Sequence, residues 1–283
     1  MAEETLSQFL DGLPEKTPQH QFVSLDDFYG KLIAHKDNEG KESFTPMIIF
    51  LNMPEERFQE MTRPSPNTEL MSHFLFAYSH PLRCIILGYV SEIHRFIKDS
   101  FANLIDRKIT EMGLYSEMER PGSVARSYGS VSKQPDASWT PTKARDHVVN
   151  PTLLLEIGQA RSVKRMEEDA RRWLTFVHTP IFNVVVVKAF DYPKIVVQIW
   201  GSFRMPQFRS AGKRIEAIIT RSNGETVVER HSSAVGNPPV TMPFERVFLR
   251  EKNKENPREG DFVFTDQDLQ SVVESIWKAQ RLI

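Results

Sequence analysis

Two acidic residues in this chain stand where acids are costly. The segments SKQPDASWTP (132–141), PTLLLEIGQA (151–160) and RSVKRMEEDARRWL (161–174) place Asp136 after a proline at the start of one strand-like run and Glu156 at the end of Leu153, Leu154 and Leu155 in the next. An unpartnered carboxylate in such apolar surroundings costs several kcal/mol, so each needs either a divalent cation or a nearby Arg or Lys. Magnesium-assisted hydrolysis of a phosphodiester requires two or more carboxylates a few ångströms apart around a hard cation, with a positive group near the attacking water. Asp136 and Glu156 on paired strands could meet the first requirement. The competing reading makes Asp136 a turn or cap residue and Glu156 the structural ion-pair partner of Arg161 or Lys164.

The surrounding pattern predicts the elements that would carry the two acids. A strand is expected over residues 82–87. After it, Val90, Ile93, Ile97, Phe101, Leu104, Ile105, Ile109 and Met112 recur at three- and four-residue steps, which marks one face of a long helix stopped by Gly113. The Asp136 strand and a strand over 148–157 follow as a long-looped hairpin. Ser162 can cap a helix with Val163, Met166, Ala170, Trp173 and Leu174 inward and Arg161, Lys164, Arg165, Arg171 and Arg172 on its other faces. The valine-rich run 183–189 is a buried strand, so the chain is read as α/β, with strand, helix, two strands, helix and strand in order.

Residues 1–80 read as a polar N-terminal extension packed on a core over 81–192. That extension has a helix near 24–34, a strand at 47–51, and a strand at 74–78 that forms a hairpin with the core's first strand, 82–87. Residues 193–283 add strands at 194–200, 213–220 and 225–230 and a final helix over 266–281, as part of the core's own domain. Arg221-Ser222-Asn223-Gly224 supplies the turn between the last two strands.

With 283 residues, 40% of them hydrophobic, the chain can bury a substantial core. Its 36 basic and 37 acidic residues give no global positive field, so any nucleic-acid contact must come from a local patch. Two patches qualify. One is the helix face with Arg171 and Arg172, interrupted by Glu167, Glu168 and Asp169 and so equally readable as a solvated face. The other holds Arg204, Arg209, Lys213 and Arg214 with Phe203 and Phe208 interleaved, which suits phosphate contact and base stacking but also an ordinary charged loop. Cys84 lies in an apolar run and reads as a small buried hydrophobe; as the single cysteine it allows no internal disulfide. No signal pattern, no run of about 18 apolar residues and no phosphate-cradling glycine loop occurs. The expectation is an intracellular protein, cytoplasmic or nuclear, with no membrane span. A homodimer is compatible with the sequence.

The order Pro135-Asp136, then Glu156-Ile157-Gly158, resembles the PD-(D/E)XK restriction-endonuclease-like superfamily. The detail is similar to bacterial Uma-type endonucleases and to a set of uncharacterised fungal proteins. Lys133, Pro135, Asp136, Ser138, Trp139, Pro151, Thr152, Leu153, Glu156, Gly158, Asp169, Ala170, Trp173 and Leu174 match the pattern KxPDxSW…PTLVxEVG…DAxxWL. The resemblance covers roughly residues 85–190. It implies a restriction-endonuclease-like core that binds Mg²⁺ or Mn²⁺ through Asp136 and Glu156, with Glu92 or His94 near the start of the long helix as a further ligand, and that cleaves DNA. His94 alone reads as a half-buried or surface histidine. Gly158 stands where the family places its lysine, which makes Lys164 the first substitute cation and Arg171 or Arg172 the second. Lys133 is disfavoured by strand alternation. Gln134 and Gln159 remain as polar neighbours of a metal-bound water. A catalytically inactive descendant serving as a binding or scaffolding module is the alternative reading.

Overall fold

A computed structural model describes residues 4–142, 150–159, 162–175, 181–204, 209–232 and 239–283. They form an α/β chain that divides into two compact units.

The first unit comprises residues 1–91, 125–134 and 160–165. Its six-stranded sheet runs in the order Gln19–Gln21, Met47–Leu51, Cys84–Tyr89, Phe74–Ser79, Val131–Lys133, Arg126–Tyr128. The anticipated hairpin is present, with Phe74 paired to Tyr89 and Ser79 to Cys84. The second strand of this hairpin, expected to open the nuclease-like core, instead pairs on its other side with Met47–Leu51. Its alternating residues Ile85 and Leu87 pack with Phe28, Phe50, Phe58, Phe76 and Tyr78 in a core of the first unit's own. Helix Leu25–Lys36 begins where Ser24 accepts a hydrogen bond from the Asp27 amide, an N-cap that satisfies one of the helix's free donors.

The second unit comprises residues 92–124, 135–159 and 166–283. Its seven-stranded sheet runs Glu225–Ser232, Arg209–Ser222, Lys194–Arg204, Asn183–Ala189, Leu153–Gly158, Ala137–Pro141, Met118–Glu119. Leu153–Gly158 and Asn183–Ala189 are parallel and the other pairs antiparallel. The C-terminal strands are therefore continuous with the sheet that carries Glu156. Asn223 and Gly224 both take positive φ, 52° and 83°, which closes the last hairpin as the Asn-Gly pair predicts.

Alternation along the strands gives the sheet two different faces. Leu153, Leu155, Ile157, Val185, Val187, Val197, Ile199 and Ala217 face a core shared with helices Glu92–Glu111 and Asp266–Ala279 through Ile97, Phe101, Leu269, Val273 and Trp277. The other face carries Leu154, Glu156 and Gly158, then Val186 and Lys188, then Gln198. Helix Val163–Thr175 contributes Met166 and Trp173 to that face. Ser162 caps this helix by accepting from the Arg165 amide, as its position predicted. Gly113, at φ 77°, follows the end of the long helix.

Candidate functional site

The strand pair that holds the two acids has a defined register: Ala137, Ser138 and Trp139 oppose Leu155, Leu154 and Leu153. One residue before that ladder, the Asp136 amide donates to the Leu155 carbonyl at 3.1 Å. The Asp136 side chain, 1% exposed, turns back onto the same strand, where Oδ2 accepts from the Ile157 amide at 2.7 Å. Its Oδ1 is bonded to Nε2 of His94. Ser123 Oγ donates to the Asp136 carbonyl at 2.8 Å and fixes the backbone. Proline before Asp136 lacks a donor, which suits the entry to a strand.

Glu156 is 1% exposed and sits on the face away from the large core. Its Oε1 accepts from Trp173 Nε1 at 2.8 Å, a bond that ties the buried carboxylate to the helix following it. Of the inward positions deduced from spacing for that helix, Met166, Ala170, Trp173 and Leu174 are buried and Val163 is half-buried.

Gly158 explains itself by packing. A Cβ there would lie 2.1 Å from Met166 Sδ and 2.7 Å from its Cε, so the thioether fills the space that a side chain at 158 would need. A buried lysine on this face comes from the neighbouring strand. Lys188 aligns with Gly158 as Val186 aligns with Glu156, and because both pairs are two residues apart, Lys188, Gly158 and Glu156 share one face. Lys188 is 8% exposed. Its Nζ donates to the Gln159 carbonyl and lies 5.1 Å from the Phe190 ring centre. Lys188 was legible in principle, as the single charge inside NVVVVKA.

The expected site residues separate accordingly. Asp136 and Glu156 come from adjacent, hydrogen-bonded segments of the sheet. His94, read as half-buried or surface, is buried and bonded to Asp136, whereas Glu92, the ligand expected two residues earlier, is exposed at the helix start. Lys164 belongs to the first unit, and its ammonium, 80% exposed, is paired with Asp11 at 2.7 Å. Arg171 reaches Glu168 at 3.1 Å and covers Trp200 at 5.2 Å, and Arg172 approaches Glu168 at 3.6 Å, so both have intramolecular partners. Arg204 and Arg209 pair across the last step of their two strands. Arg161, Phe208 and residues 148–149 lie outside the described residues. Gln134 accepts from the Phe76 amide inside the first unit, while the Gln159 carbonyl holds Lys188.

A second polar group on the same face was not anticipated. Fully buried Gln198 accepts from Trp200 Nε1 at 2.8 Å and donates to Glu167 Oε1 at 2.9 Å and to Glu216 Oε2 at 2.5 Å. Lys213 bridges Glu167 and Glu216 at 3.2 and 3.1 Å. Burial alone would raise the Glu216 pKa, but hydrogen bonds from Gln198 and Lys213 hold it below the ordinary carboxylate value. The sheet register aligns Glu156, Val186, Gln198 and Glu216 in one row across four strands.

Among the described residues no three His, Cys, Asp or Glu side chains form a metal-binding group. Two carboxylates are nevertheless enough for magnesium, which commonly keeps several waters and takes one or two protein carboxylates. Asp136 and Glu156 supply hard oxygen donors of the kind that Mg²⁺ takes. The donor set thus fits Mg²⁺ or Mn²⁺ in kind.

No protein-family model matches the chain, and no curated protein matches it. Among solved structures it is similar to a crystal structure from Anabaena variabilis described as a "putative nuclease belonging to DUF820". The two share 12% identity at a TM-score of 0.40, over 77% of this chain and 97% of that one. Among the described residues no helix is long and apolar enough to cross a membrane.

Proposed function

We propose that the second unit is a metal-dependent nuclease that hydrolyses DNA phosphodiester bonds, with Asp136 and Glu156 holding Mg²⁺ or Mn²⁺ and Lys188 supplying the cation that Gly158 lacks. The observation carrying this reading is that two nearly inaccessible carboxylates on adjacent strands share a sheet region with a buried lysine. Burying three ionisable groups on neighbouring strands is expensive, and fold stability alone gains little from such groups over apolar ones of similar volume. A bound metal would supply charge neutralisation at the scissile phosphate and a more acidic water. The chain's own part is positioning: His94 and the Ile157 amide orient Asp136, Trp173 orients Glu156, and the Gln159 carbonyl holds Lys188.

A second reading, an inactive nuclease-like module that binds or scaffolds, is favoured by the internal hydrogen bonds that Asp136 and Glu156 already have. Incubation with plasmid DNA and Mg²⁺ or Mn²⁺ separates the two. The nuclease reading expects nicking that chelator abolishes and that Asp136→Ala lowers by at least about 10²-fold, the scale of losing one positioned charge-stabilising group. Cleavage by Asp136→Ala at the wild-type rate disposes of the assigned site. Absence of both cleavage and calorimetric Mg²⁺ binding supports the inactive module.

A further inference from the structure

The first unit contains a hydrogen-bonded chain of an acid, a histidine and two serines. Glu55 Oε2 lies 2.6 Å from His80 Nδ1, His80 Nε2 lies 2.8 Å from Ser132 Oγ, and Ser132 Oγ lies 2.7 Å from Ser127 Oγ. The partners assign the protons. A carboxylate only accepts, so Nδ1 carries the hydrogen; in the neutral imidazole Nε2 then accepts from the Ser132 hydroxyl, and Ser127 can donate to Ser132. Glu55 is the first residue of helix Glu55–Met61, His80 follows strand Phe74–Ser79, and Ser132 lies on a strand between Tyr78 and Ser127. The imidazole packs in T-shaped contact with two rings: Tyr78 at 5.0 Å and 81°, Phe58 at 5.9 Å and 88°. Those rings stack on each other at 4.0 Å. Ser132 is 5% exposed, and Ser127 beside it on the sheet's edge strand is exposed.

We propose that Glu55, His80 and Ser132 form an esterase-type centre for small carboxylic esters. Nucleophile, base and orienting acid have the spacing that activates a serine hydroxyl, each contact within about 2.6–3.2 Å. Ser132 Oγ bonds to the ester carbonyl carbon while its proton passes to His80 Nε2, and Glu55 stabilises the imidazolium. Collapse of the tetrahedral adduct breaks the carbon–oxygen bond to the alcohol, which takes the proton from Nε2 and leaves an acyl ester on Ser132. Water, deprotonated by Nε2, then attacks that ester and releases the carboxylic acid, restoring the serine. The 5% exposure of Ser132 restricts the acyl group to a small one, such as acetyl.

The test uses the full chain with a small alkyl fluorophosphonate and, separately, with p-nitrophenyl acetate. The expected result is a single phosphonyl adduct mapped by mass spectrometry to Ser132, indifferent to metal chelator. His80→Gln should slow both adduct formation and ester turnover by about 10²–10⁴-fold, the contribution of a positioned general base. Glu55→Gln should slow both by a smaller factor, and circular dichroism should show both variants folded. No adduct on the folded wild-type chain, an adduct on Ser127 instead, or unchanged labelling in folded His80→Gln each overturns the proposal.

Discussion

Cys84 and the two lysines illustrate how burial sets reactivity residue by residue. The Cys84 thiol is fully buried and its pKa is pushed up to about 12 by that burial. It should therefore resist iodoacetamide at pH 8 in the native chain and react promptly in urea, as read by intact mass. Lys188 and Lys164 make a sharper pair. Lys188 is buried on the Glu156 face, whereas Lys164 is exposed and bridged to Asp11. Under the nuclease reading, Lys188→Met should lower cleavage by about 10²–10³-fold. Lys164→Ala should leave the cleavage rate unchanged and move the urea midpoint by less than the equivalent of about 0.5 kcal/mol, as exposed substitutions do. A large loss in Lys164→Ala with none in Lys188→Met would reverse the assignment.

Elements matter most at the contact between strand Leu153–Gly158 and helix Val163–Thr175. The helix can lie against the strand because position 158 has no side chain and Met166 takes its place. Gly158→Lys, which supplies the lysine of the PD-(D/E)XK pattern that the sequence resembles, should therefore destabilise the fold by about 1–3 kcal/mol or more through overpacking, and should not raise activity. Adding Met166→Ala should recover much of that loss, and chemical denaturation of both variants checks it. The helix itself was legible from its apolar spacing and its serine cap. The identity of the strand beside Gly158 was not, because a parallel neighbour about thirty residues away leaves no local periodicity. His94 was likewise readable as a position near a helix start, but only the meeting of that helix with Asp136 gives it a role.

At the scale of the molecule, each unit has its own core, and in the second an arginine ties the segment before the final helix back to the turn after the long one. Arg250 bonds Glu259 through both carboxylate oxygens, at 2.8 and 2.9 Å, and reaches Glu117 at 3.0 Å, joining the C-terminal segment to the turn after the long helix. The Arg250 guanidinium holds Glu259 down to about 2, from a usual value of 4.5. A carboxylate depressed in the folded state stabilises the fold above its unfolded pKa and loses that contribution as pH falls through the folded one. Glu259→Gln should thus cost about 1.5–3 kcal/mol at neutral pH, the range for a hydrogen bond to a charged group. The gap to wild type should close between about pH 4.5 and pH 2, measured by urea unfolding at stepped pH. A constant gap across that window would mean that the charge is not what Arg250 holds.

The sequence by itself determined the α/β alternation, most strand and helix positions, the capped basic helix, the Asn-Gly hairpin and the two acids, because each is written in periodicity, turn chemistry or the cost of a charge among leucines. It also set the boundary of what a motif lysine could do, through a glycine at 158. Only the tertiary structure decided that strand Cys84–Tyr89 belongs to the first unit's sheet, that the C-terminal strands extend the Glu156 sheet, and that Lys188 aligns with Gly158. Those outcomes depend on which distant strands pair and in what register. Pairing of that kind is settled by the fit of whole buried faces, so it leaves no signature in the order of neighbouring residues.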